Sequence, residues 1–127
     1  MTRIKVYGDT VVAEILGDLD HHSASLIRED IDREIKCRQP KRLVIDFSGV
    51  TFMDSSGIGL IMGRYRLMQE LGGEVMVACV PGYIRKVLRL AGIDRLTGIA
   101  DSVKSIIPEK EMIKEEQKDE QTVPWDS

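Results

Sequence analysis

Two short apolar runs constrain this fold more than any other feature. Leu43-Val44-Ile45-Asp46-Phe47 and Val75 through Val80 are apolar along nearly their whole length. Half-buried strands alternate, whereas strands covered on both faces read as continuous runs of this kind. Between them, Ile58, Ile61, Met62, Tyr65, Met68 and Leu71 recur at spacings of three or four, with one step of one, and predict a helix from about Ser55 to Leu71. Gly72-Gly73 ends it. Two buried strands joined by a helix pair in parallel, through a right-handed crossover. That excludes all-helical and all-β architectures.

The same reading extends in both directions. Ile4 and Val6, then Val11 to Leu16, flank the turn residues Gly8-Asp9 and predict a hairpin over about 3–7 and 10–16, ended by Gly17. Ala24, Ile27, Ile31 and Ile35 predict an amphipathic helix over 23–38, with Ser23 as N-cap and Pro40 beyond its end. Ser48-Gly49-Val50-Thr51 reads as a loop after the first buried strand, from which Phe52-Met53 returns to the core. After Pro81-Gly82, the residues Ile84, Val87, Leu88 and Ala91 mark a third helix stopped by Gly92. Residues 93–99 read as a short edge strand and 101–107 as a short helix. The predicted fold class is α/β: a mixed, mostly parallel β-sheet with an N-terminal hairpin and helices packed against it.

A chain of 127 residues suits one domain, here 1–107. Residues 108–127 form a polar, acidic segment with seven acids and three bases, expected to be a disordered C-terminal tail. It contains Trp125, the single tryptophan. The body carries only about one net positive charge, so a sequence-independent nucleic-acid binder, which needs a clustered basic face, is not expected. No apolar run approaches the ~20 residues of a membrane span, and MTRIKVYGDT has no secretory apolar region. No membrane insertion and a cytoplasmic location are expected. Cys37 and Cys79 are too few for a disulfide framework and too far apart for CxxC, and read as reduced thiols.

Chemistry concentrates at Asp54-Ser55-Ser56-Gly57-Ile58-Gly59, where a buried strand hands over to a helix. In α/β sheets such corners lie where ligands and partners approach. The plain alternative is a well-capped helix, with Asp54 or Ser55 accepting from the free amides of the first turn. Gly59 and Gly63, one helical turn apart, read as a small-residue stripe for close packing. The glycines run G-x-G-x-x-x-G, neither a dinucleotide fingerprint nor a P-loop, so no cofactor is expected. GxSxG is absent, and the only histidines, His21 and His22, are adjacent in a predicted loop, which weakens both a Ser–His–Asp triad and a metal site. Asp46 and Asp54 lack the acidic partners of a phospho-acceptor aspartate site. No catalytic and no metal residues are assigned. A serine at a helix start can instead accept phosphate: the positive helix end tolerates the added charge, while a partner surface shaped for a neutral corner does not.

GDLDHHSASLIREDID, LVIDFSGVTFMDSSGIGLIMGRY and GGEVMVACVPGYIRKVLRLAGID together resemble the anti-sigma-factor antagonists, whose domain type is STAS. The likeness spans about 3–107, and MDSSGIG with LDHH points to the sporulation branch. The resemblance implies a single STAS domain that binds an anti-sigma factor which is also a serine kinase, releasing a sporulation sigma factor. The phosphorylated residue would be Ser55, the first serine of DSSG. Asp20 of LDHH matches a partner-contact position, and His21, Ser56, Gly57 and Ile58 would lie around it. The ATP-using kinase would switch binding off, and a membrane-bound serine phosphatase would restore it. The extra tail departs from the family, whose members usually stop near the end of the body. Alternatives are a STAS module of another signalling or lipid-transport assembly, or a nucleotide-binding or hydrolysing domain.

Overall fold

The computed structural model describes residues 1–107; the expectations for 108–127, including Trp125, lie outside the described residues. The elements run β1 (Thr2–Tyr7), β2 (Thr10–Leu19), α1 (His21–Arg38), β3 (Arg42–Met53), α2 (Ser55–Glu70), β4 (Glu74–Ala78), α3 (Gly82–Leu90) and β5 (Gly98–Ala100). Single 3₁₀ turns occupy Ile93–Arg95 and Val103–Ser105. The sheet order is β1-β2-β3-β4-β5, with β1 antiparallel to β2 and every later pair parallel. This is the predicted mixed α/β fold.

Because each parallel strand is added on the same side of its predecessor, right-handed crossovers place all three helices on one face. The alternation along β3 follows. Leu43, Ile45 and Phe47 join Ile27, Ile31 and Ile35 of α1, Ile61 and Met68 of α2, and Ile84 and Leu88 of α3 in the main core. Val44 points the other way, into a smaller cluster with Tyr7, Val12, Ala78 and Ile107. Beneath the latter cluster the sheet carries Glu14 and the buried Asp46, lining a cavity of about 70 Å³ with Lys5 and Val103.

Four local expectations are corrected. Strand β2 does not end at Gly17 but runs to Leu19, with Gly17 inside it at φ +90° and register shifts on either side of Leu16–Gly17. Strand β3 does not loop out at 48–51 but continues to Met53, paired with β2 through Leu19↔Met53. The Asp46 carboxylate accepts from the Ser48 amide at 2.9 Å within this irregular stretch. A side chain at Gly49 would press on the Ile15 carbonyl oxygen and the Leu16 side chain, which is why the turn-like residue sits inside a strand. Phe52 is half exposed rather than returned to the core. The chain end is less regular than predicted: β5 spans three residues, and 101–107 contains a single 3₁₀ turn.

Helix α1 starts two residues earlier than predicted. Its N-cap is Asp20, and Ser23 is the third residue of a capping box. His21 and His22 therefore lie in the first helical turn, not in a loop. At the other end Gln39 takes a left-handed conformation, φ +44°, and donates its amide to the Ile35 carbonyl before Pro40.

Candidate functional site

The pairing of β2 with β3 brings two helix starts together. Leu19 and Met53 end the paired strands, and the Asp54 amide donates to the Leu19 carbonyl at 3.2 Å. Asp20 and Asp54 follow as the N-caps of α1 and α2, and both are extended. The two helices thus begin side by side, with their free amides and positive ends on one surface.

At α2 the Asp54 carboxylate accepts from the Ser56 amide at 2.8 Å, and the Gly57 amide donates to the Asp54 carbonyl at 3.1 Å. Asp54, not Ser55, is the cap. Ser55 is the first helical residue, it is exposed, and its hydroxyl makes no hydrogen bond among the described residues. Ser56 is partly exposed, and Ile58 is partly buried against the main core. Gly57 is buried: a Cβ there would land on the Met53 side chain and within 3.0 Å of Leu19 Cδ2. Its part in the surface is to let α2 start hard against the strand ends.

At α1 the Asp20 carboxylate accepts from the Ser23 amide at 2.9 Å, while the Asp20 amide donates to the Ser23 hydroxyl at 3.0 Å. The amide of Ser23 is the main cause that holds the Asp20 carboxyl below its ordinary range, aided by the Ser23 hydroxyl and His22 and opposed by desolvation. Asp20 is thus a structural cap as well as a partly exposed anion. His21 is exposed, and its ring meets the edge of His22 with centroids 6.1 Å apart.

Sequence reasoning missed an apolar margin. Tyr83, Val87 and Leu90 are exposed on one side of α3, Leu90 to 81%. The Tyr83 hydroxyl donates to the Thr51 carbonyl at 3.4 Å, anchoring the start of α3 to the end of β3, where Phe52 is also exposed. The signal in the sequence is Tyr83, Val87 and Leu90 at helical spacing, but Val87 also fits the period of Ile84 and Leu88, which alone are buried in α3. The expectation for the glycine stripe is also overturned. A Cβ at Gly59 or Gly63 meets nothing within 4 Å, so the two face open space and not a packed neighbour.

No helix among the described residues is long and apolar enough to cross a membrane. No group of three or more His, Cys, Asp or Glu side chains with metal-binding placement occurs among them. Cys37 and Cys79 are free.

A small sheet carrying three helices on one face, with two capped starts at the carboxyl ends of adjacent parallel strands, is the architecture of a STAS domain, and the STAS domain family matches residues 1–106. An anti-sigma F factor antagonist from Paenibacillus polymyxa is 33% identical over 103 residues, covering 81% of this chain and 88% of that protein. The chain belongs to the STAS-domain family, among its anti-sigma-factor antagonists. The fold is similar to that of the anti-sigma factor antagonist SpoIIAA in its unphosphorylated form, with a TM-score of 0.72 at 29% identity over 84% of this chain and 93% of that one. It is also similar to the phosphorylated form of SpoIIAA from Bacillus, with a TM-score of 0.67 at 29% identity over 84% of this chain and 96% of that one.

Proposed function

We propose that this protein is a phosphorylation-switched binding module without catalysis of its own, acting in the cytoplasm on an anti-sigma factor that is also a serine kinase. Its unphosphorylated form binds that kinase and releases a sporulation sigma factor. The observation that carries the reading is Ser55: an exposed hydroxyl without a hydrogen-bond partner among the described residues, first in α2, beside a second helix start capped by Asp20.

The chemistry of the switch follows from that placement. The kinase transfers the γ-phosphoryl group of its ATP to Ser55 Oγ; the new O–P bond forms as the bond to ADP breaks, and the hydroxyl proton leaves. The product adds a charge of about −1.5 to −2. The positive end of α2 accommodates it, so the fold persists. The partner, shaped for a small neutral corner, would have to desolvate a dianion and binds weakly. Asp20, His21, Ser56 and Ile58 form the remaining contact surface with Ser55, Gly57 keeps α2 close beneath it, and Phe52, Tyr83 and Leu90 offer apolar area at its margin. A serine phosphatase resets the switch. The existence of SpoIIAA in phosphorylated and unphosphorylated forms supports this reading.

The test is a kinase assay with the cognate anti-sigma factor, followed by site mapping. Phosphate is expected on Ser55 alone. Ser55→Ala is expected to fold, bind and resist modification. Ser55→Asp, with a single charge, is expected to weaken binding less than phosphate does. Phosphate on Ser56, or equal kinase affinity for bare and phosphorylated protein, overturns the proposal.

A further inference from the structure

Between α1 and α2 runs a half-open groove of about 430 Å³. It begins at His21 and Ser56 and descends to Arg28 on α1 and Arg64 on α2. Eight residues of helix separate Ser56 from Arg64, about 12 Å at the α-helical rise of ~1.5 Å per residue.

Arg64 is the unexpected element. Its side chain is only 9% exposed, yet it lines the groove. Its Nε lies 2.8 Å from Asp32 Oδ1, an ion pair too oblique to count as a hydrogen bond. Its Nη1 has no acceptor among the described residues and is closed to solvent, which leaves Nη2, also without a hydrogen bond among them, as the nitrogen open to the groove. Buried guanidinium donors ordinarily find acceptors, because leaving one unmade forfeits its hydration without return. Burial pushes the Arg64 pKa down; Asp32 opposes this and the nearby charge of Arg28 adds to it. Arg28 forms no ion pair among the described residues.

The floor is equally unexplained by the fold. Gly59 and Gly63 weaken α2 relative to alanine, yet no neighbouring atom requires their smallness. They keep the groove open. On its walls the Ser25 and Ser56 hydroxyls make no hydrogen bond among the described residues. Asp32 already supplies one carboxylate to Arg64. What remains is Nη2 of Arg64, the exposed guanidinium of Arg28 and two hydroxyls, more donors than a further carboxylate's two oxygens use well. A tetrahedral phosphate, with three terminal oxygens and nearly two charges, matches them.

We propose that the α1–α2 groove binds a phosphate group, held by Arg28 and Arg64 and carried by inorganic phosphate or by a small phosphate monoester. The groove is longer than a phosphate ion, which leaves room toward Ser56 for the organic part of an ester. The phosphate bound here is a separate group from one carried by Ser55, since Ser55 does not line the groove.

The test is a titration of the full-length protein, ¹⁵N-labelled, with inorganic phosphate in one arm and ribose 5-phosphate in the other. Saturable shifts are expected at the Gly59, Gly63 and Arg64 amides and at the Arg28 and Arg64 side-chain Nε signals. Tighter binding of ribose 5-phosphate identifies an ester as the ligand class; equal binding identifies the free ion. Gly63→Leu, whose Cβ meets nothing within 4 Å, is expected to melt no lower than the parent protein and to abolish the shifts. Arg28→Gln is expected to lower affinity about tenfold, the equivalent of ~1.4 kcal/mol. Should Arg64→Gln fail to fold, Arg64→Lys is expected to fold and bind more weakly, having lost the planar fork. The proposal is overturned by shifts confined to the first-turn amides of His21 and Ser55, by the absence of saturation, or by unchanged binding in folded Gly63→Leu.

Discussion

The Asp20 carboxylate caps α1, and the proposed partner contact asks something different of the same group. Accepting from the Ser23 amide caps α1, and any side-chain oxygen acceptor of similar shape does this. Attracting a partner cation requires the charge. Asp20→Asn is therefore expected to retain most of the thermal stability while losing partner affinity, whereas Asp20→Ala loses both. Melting curves and calorimetry on the same two variants check this; loss of affinity in Asp20→Ala alone would leave the cap as the only role. The pH dependence has a definite sign. The folded-state pKa of Asp20 is depressed, so its stabilising contribution is fully present above the unfolded-state value of ~3.9. It is lost as pH falls through the lower folded-state value, and it disappears in Asp20→Asn. Acid unfolding curves of the two proteins are expected to converge at low pH. The capping role of Asp20 does not follow from spacing alone. Ser23 is the better helix-capping residue by position relative to Ala24 and Ile27, and it took the complementary place in the box because Leu19 is still strand.

The elements most legible in the sequence are those whose apolar period is unbroken: the hairpin, the cores of β3 and β4, and the body of α2. The ends of β2 and β3 differ from expectation at glycines that resemble punctuation. Gly17 and Gly49 sit inside strands because β2 and β3 cross irregularly there, and a side chain at Gly49 has no room. Gly59 and Gly63 suggested tight packing, whereas Gly57, in the same helix, has it. Sequence spacing cannot tell these apart, since the difference lies in what faces each Cα. The contrast gives a quantitative expectation. Gly57→Ala drives a methyl into the Met53 side chain and against Leu19, and is expected to destabilise by about 1–3 kcal/mol, the usual range for overpacking. Gly59→Ala and Gly63→Ala meet open space in a helix interior and are expected to stabilise by about 0.5–1 kcal/mol each. Urea denaturation of the three variants measures both signs in one series. If all three destabilise alike, α2 is closely packed along its whole length.

One-sided helix placement leaves the molecule with unequal faces. The helical face is closed by three helices, while the other depends on the last residues of the body: Val103 and Ile106 lie against the second cluster, and Ile107 is 2% exposed within it. This was not legible in advance, because residues 101–107 have too few apolar positions to reveal a period and their contribution is a cap over the sheet. The charge is also unequal, with the acidic excess confined to 108–127 and the body close to neutral. We propose that the folding unit is 1–107, and two truncations test it. A chain ending at Ile107 is expected to melt within a few degrees of the full-length protein, since it keeps every core residue among the described residues. A chain ending at Ser102 loses Val103, Ile106 and Ile107, uncovers Val12, Val44 and Ala78, and is expected to lose several kcal/mol, given ~1.5–3 kcal/mol for each large aliphatic side chain fully buried. Calorimetric melting of both chains decides it. A large loss on removing 108–127 alone would show that the tail is part of the folding unit, and the boundary at 107 would then be wrong.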